Sequence, residues 1–154
     1  MKFPLISKKF NKGFTLIELL VVIGILAVLL AIVLIAINPA RQFAQANNTQ
    51  RRSDVNAILN SVHQYAADNN GTLPAGITTT VANVSNTGAN LCALLVSDYL
   101  AALPADPTLG TPVDEAACAA AYDTGYTIVT SATNNRVTVT APSAELGEVI
   151  SATR

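Results

Sequence analysis

The side chain best placed to do chemistry is Glu18, a lone carboxylate inside an apolar run that extends over residues 14–37. A carboxylate in that setting is not a catalyst by itself; its chemistry is ion pairing. A charge at the middle of a membrane span costs roughly 2.5–3.5 kcal/mol on insertion scales, so it usually serves a function. Glu18 lies about 6 Å of helix rise past Phe14, which lets it stay near an interface, and a helix N-terminus favours an anion. Neither effect supplies a counter-charge. A free α-amino group on Phe14 would be one, if the chain were cut after Gly13.

Other chemistry is sparse. His63 is the single histidine, and it reads as a boundary residue beside an apolar stripe rather than as a ligand or base. A GxSxG elbow, a phosphate-binding glycine loop and paired histidine ligands are all missing from the sequence, so no enzymatic activity is expected. Asp106, Asp114, Glu115 and Asp123 could offer oxygen ligands to calcium, but their spacing matches no fixed loop. Solvated acids are the simpler reading, and no cofactor is expected. Cys92 and Cys118 lack CxxC or His-rich spacing. Outside the cytoplasm they read as one disulfide, contributing roughly 3–4 kcal/mol, with two buried thiols as the alternative.

The elements that must position Glu18 begin with a basic leader. Residues 1–13 hold Lys2, Lys8, Lys9 and Lys12 and no acid, and Pro4 and Gly13 oppose a continuous helix there. Residues 14–37 depart from apolar types only at Thr15, Glu18 and Gly24. As a helix they cover about 36 Å, enough for a ~30 Å hydrocarbon core with some tilt. Ala44-Gln45-Ala46 has the small-x-small form of a signal-peptidase site, but it lies well past an apolar run too long for a secretory signal. The leader lysines outnumber Arg41, Arg51 and Arg52 on the far side, which favours a cytoplasmic N-terminus. Of the 9 Lys and Arg those four precede a cut after Gly13, and none of the 10 acids does, so 5 Arg against 10 acids leave −5. An acidic product argues against a nucleic-acid partner, since phosphate binding needs clustered Lys and Arg.

Asn38-Pro39 ends the apolar run. Either Asn38 caps a second helix opened by Pro39, or one long helix is kinked there. Residues 40–70 carry no further breaker, and Val55, Leu59, Val62 and Ala66, with Ile58 and Tyr65, recur at helical spacing as one stripe. Arg51, Arg52, Asp54, Gln64 and Asp68 are assigned to the remaining surface, with Asp54 bridging to Arg51 or Arg52 or simply solvated. Asn70-Gly71 supplies a left-handed stop. If 14–70 is nearly continuous it spans about 85 Å. An uncharged loop follows at 72–90 with a short strand at 77–84, then a short helix at 91–100 and a rigid turn at 103–107. Strands at 126–132 and 137–141 are joined by a hairpin, and 148–152 adds an edge strand. A small antiparallel sheet covering the stripe gives an α+β fold.

Lys12-Gly13-Phe14-Thr15-Leu16-Ile17-Glu18-Leu19 resembles the processing site of type IV pilins and related pseudopilins, at the required junction of basic leader and apolar span. The resemblance implies a leader (1–13), a transmembrane and assembly helix (14–37), an amphipathic second half of that helix (38–70) and a globular pilin head (71–154). It implies cleavage between Gly13 and Phe14 by a membrane prepilin peptidase, methylation of the Phe14 amine, and a Glu18 that pairs with a neighbouring subunit's terminal amine. The implied partners are identical or related subunits in a helical polymer, the peptidase, the inner-membrane assembly machinery and, before assembly, the membrane itself. The implied location is the cytoplasmic membrane, single-pass, then an extracellular filament. A type II secretion pseudopilin, which in related major forms binds calcium in the head, and a minor pilin acting as an adhesin share the motif. Many relatives carry a helix-breaking proline within the span, whereas here Gly24 stands alone.

Overall fold

The computed structural model describes residues 13–154; the leader lysines Lys2, Lys8, Lys9 and Lys12 lie outside the described residues. The chain divides into two compact units, one ending at Pro39 and the other comprising Ala40–Arg154.

The first unit is the helix α1, Leu16–Ile37, capped at its start by Thr15 and devoid of buried residues. It ends because Asn38 adopts a left-handed conformation, φ 47°, a geometry that asparagine tolerates better than branched residues. Pro39 then opens α2, Pro39–Asp68. Proline suits a first helical position, where its missing N–H would have no intrahelical acceptor. The helical stretch is therefore two helices interrupted at Asn38, with Pro39 in the role of a second-helix opener. Asn38 closes α1.

In the second unit α2 runs without a break to Asp68, and Asn70 and Gly71, both at positive φ, turn the chain away. Gly71 N–H donates to the Ala66 carbonyl at 2.7 Å, satisfying one of the carbonyls a helix end leaves open. Four strands follow: β1 (Ala82–Ser85), β2 (Asp123–Thr130), β3 (Val137–Ala141) and β4 (Ile150–Thr153). They pair antiparallel in the order β1-β2-β3-β4, with Ile128 opposite Val139 and Val139 opposite Ala152. Period-two alternation sends Tyr126, Ile128, Val137, Val139 and Ile150 to the inner face, where they join Val55, Ile58, Leu59 and Val62 of α2 in one core. The fold is α+β: a long apolar helix, a second helix and a four-stranded antiparallel sheet.

The expected hairpin is present, with β3 on the predicted residues and β2 starting three residues earlier than the sequence suggests. The predicted helix at 91–100 shrinks to one turn, α3 (Cys92–Leu95), because Ser97 turns left-handed at φ 78°. Cys92 opens that turn and is bonded to Cys118 in a 3₁₀ turn, Ala116–Ala119, just before β2. Gly125 sets how closely the sheet meets a neighbouring turn. Its φ of 76° lies where β2 bulges against β1, and a Cβ there would come within 2.4 Å of Leu109 and 3.1 Å of the Asp106 Cβ. Glycine thus lets the 106–109 turn close onto the sheet.

Candidate functional site

The first candidate site is the start of α1. Gly13 and Phe14 are exposed, Phe14 to 85%, and every large apolar side chain of α1 is exposed as well. The helix is long and apolar enough to cross a membrane, about 33 Å for its 22 residues. A surface of that kind in water would be a large unfavourable term, so it requires lipid or other apolar surface around it.

Glu18 finds hydrogen-bond donors within its own helical turn, and neither of them is a counter-charge. Its backbone N–H donates to Thr15 Oγ1 at 3.2 Å, and its carboxylate Oε2 accepts from the Thr15 backbone N–H at 3.2 Å and from the Thr15 hydroxyl at 3.1 Å. This is a reciprocal capping box, which fixes where the helix begins. Its signal in the sequence is the spacing Thr15-x-x-Glu18, which lies inside the processing motif and is easily taken for part of it. Gly13, Phe14 and Glu18 are brought together at one helix end. Cys92 and Cys118 belong to the head and take no part there.

The second candidate is a buried polar knot in the head, and it corrects two surface assignments. Arg51 is completely buried, and Asp54 nearly so. The Arg51 guanidinium grips Asp106 with two parallel bonds, Nε to Oδ2 at 2.7 Å and Nη2 to Oδ1 at 3.1 Å. Its Nη1 donates to Glu145 Oε2 at 2.8 Å and to Asn48 Oδ1 at 3.0 Å. Asn48 in turn exchanges two bonds with the Glu145 backbone, and Asn47 donates to the Glu145 carboxylate at 2.9 Å. Nearby, Asp54 accepts from Gln50 at 2.7 Å and from the Tyr126 hydroxyl at 2.8 Å, not from Arg51 or Arg52. Arg52 pairs instead with Glu148.

The electrostatics follow the geometry. Burial works to raise the Asp106 carboxyl, but Arg51 and the two Thr108 donors outweigh it and hold it below the usual range. Arg51, then Asn47, hold Glu145 low. Asp54 goes the other way: burial pushes it up against the pull of Tyr126 and Gln50.

Three of the four acids weighed as calcium ligands are engaged by other groups. Asp106 is taken by Arg51, Asp114 caps the 3₁₀ turn through the Ala117 N–H, and Asp123 accepts from Gly125 and Asn83. Among the described residues no group of three or more His, Cys, Asp or Glu is assembled to hold a metal. His63 is half-buried beside the stripe.

No curated protein and no solved structure matches the chain. Residues 8–34, which take in the leader's last lysines, the Gly13–Phe14 junction, the Thr15–Glu18 box and most of α1, match the family model of the prokaryotic N-terminal methylation motif. That motif is the class III signal peptide of type IV pilins, and the match covers the N-terminal segment of the chain, not the head.

Proposed function

We propose that this chain is the precursor of a surface-filament subunit, cut between Gly13 and Phe14, methylated on the new Phe14 amine and polymerised through α1. Before assembly α1 holds the protein in the cytoplasmic membrane with its N-terminus inside. On assembly the same apolar surface moves from lipid to neighbouring helices, a transfer with little hydrophobic cost because both surroundings are apolar. Glu18 then meets the Phe14 ammonium of a neighbour, and each charge neutralises the other in a medium where an unpaired one is expensive. The observation carrying the reading is one carboxylate at the start of an exposed apolar helix, inside the matched N-terminal methylation motif.

Two substitutions in the native host test it. Gly13→Val should leave an uncut precursor that keeps the leader, detected by mass. Glu18→Ala should be cut normally yet yield few or no filaments on shearing. Wild-type piliation by Glu18→Ala would remove the role given to that carboxylate. Abundance in sheared surface filaments separates the neighbouring roles: a major pilin dominates them, a minor pilin is rare, and a pseudopilin is normally absent.

A further inference from the structure

We infer that the head binds a second copy of this chain through two opposite flanks of α2, the Arg136–Arg154 edge of one copy seating on an acidic pocket of the next. The inference rests on the proposed polymer and adds where its heads meet. β4 runs along one flank: Arg154 donates to Asn60, and Val149 and Ser151 line a groove together with Asn56. The α3 segment runs along the other, where Tyr99 packs edge-on against Tyr65 and its hydroxyl donates to Asp68. At 3.6 residues per turn Asn56 and Tyr65 point in opposite directions from the helix axis.

The charges divide between these flanks. No Lys or Arg occurs between Arg52 and Arg136, the stretch that holds Asp98, Asp114, Glu115 and Asp123. β4 is an edge of the sheet, and beside it Arg136 and Arg154 are exposed. Among the described residues their guanidinium groups meet neutral acceptors, the Thr153 carbonyl and the Asn60 amide oxygen. Glu148, the nearby acid, is already paired with Arg52. The opposite flank has a cavity of about 430 Å³ beside the disulfide, lined by Cys92, Val96, Cys118 and Ala119, with Asp98 and Glu115 as its charged residues. Neither carboxylate has an ion-pair partner among the described residues. Apolar walls suit the methylene stem of an arginine, and carboxylates suit its fork. A single exposed ion pair contributes little. Two cations on a sheet edge against a partly dry acidic pocket gain more, and they reject a like-charged face strongly. Because the complementary flanks lie on opposite sides of one helix, the contact is head-to-tail and leaves both ends open for further copies.

The experiment expresses full-length precursors in the native host and measures processed mass, melting temperature in detergent and the fraction recovered in sheared filaments. Arg136→Glu with Arg154→Glu, and separately Asp98→Lys with Glu115→Lys, should be cut and melt as wild type while the filament fraction falls at least about tenfold. All four substitutions in one chain restore opposite charges between copies and should recover most of the wild-type fraction. Wild-type yield from either two-site variant overturns the inference. So does a four-site variant that melts as wild type and fails to assemble, since a different partner keeps its own charges and cannot follow the swap. Should a variant melt low, Arg154→Lys keeps the charge and supplies a second test. In sheared filaments a carbodiimide should join the new amine to Asp98 or Glu115, the reagent leaving as its urea. Positions on opposite flanks cannot be joined within one chain, so that amide reports a neighbour. Links only to other carboxylates, or none, overturn the inference. Filaments from wild type with no effect of the charge swaps remove the flank contact alone, whereas a wild type that forms none removes the polymer beneath it.

Discussion

Glu18 and Asp106 are both carboxylates with several donors, and the source of those donors separates their roles. Asp106 is fully buried and takes four bonds: two from Arg51, which is 55 residues away in sequence, and two from Thr108. Glu18 is exposed, and its two donors belong to one residue three positions back in the same helical turn. A carboxylate satisfied by distant parts of the chain exists only in the folded state and holds that state together. One satisfied within its own turn needs no tertiary structure and can exchange or add a partner afterwards. The first arrangement builds the head; the second leaves a charge available.

The contrast can be broken most directly by exchanging the assays. Arg51→Met keeps a long, flexible side chain but leaves the Asp106 carboxylate buried without its counter-charge. Removing one member of a buried pair typically costs about 3–5 kcal/mol, so the melting temperature of the detergent-solubilised protein should drop by many degrees, followed through the tyrosines. Glu18→Ala should leave that melting temperature unchanged while filaments are lost. A large thermal shift from Glu18→Ala, or none from Arg51→Met, would show that the two carboxylates do not divide the work in this way.

Much of this was legible because periodicity encodes it. The apolar run, the stripe from Val55 to Ala66, the hairpin and the two-unit order of long helix then sheet follow from residue spacing and turn residues alone. The knot did not. Arg51 owes its burial to Asp106 and Glu145, which come from two loops far along the chain, and no local rule pairs them. One clue existed. Ala44, Asn48, Arg51, Val55, Ile58 and Val62 follow one another at intervals of three and four, and all are buried, so the stripe continues backward through polar residues. A scan for apolar types stops at Val55; a scan for phase does not. Polar side chains in phase with a core stripe are candidates for a buried network, since they can be buried only if partnered.

A smaller change sharpens the picture inside the head. Tyr126→Phe removes the hydroxyl that donates to Asp54 and leaves the buried carboxylate one donor short, while the ring still fills the core. The expected loss is about 1–3 kcal/mol, the usual penalty for an orphaned buried acceptor. A variant as stable as wild type would mean that Gln50 and solvent satisfy Asp54 without help.

The smallest effect is a pH dependence, and its sign distinguishes Asp54 from its neighbours. Asp106 and Glu145 titrate below their unfolded values, so the stability they contribute is present above the ordinary carboxylate range and is lost as pH falls through their lowered folded values. Asp54 titrates above its unfolded value because burial penalises its charge. Its contribution is therefore most favourable below the ordinary carboxylate pKa, where it is protonated in both states, and declines as pH rises through the folded value. Asp54→Asn removes the titration while keeping a carbonyl oxygen for Tyr126. Relative to Asp54→Asn, the wild type should thus be more stable near pH 4 than at pH 7. Melting curves of both proteins at the two pH values measure this, and a wild-type advantage that grows with pH would mean that Asp54 is stabilised as an anion after all. That would make it a second Asp106, with its charge, rather than its hydrogen bonds, holding α2 to β2.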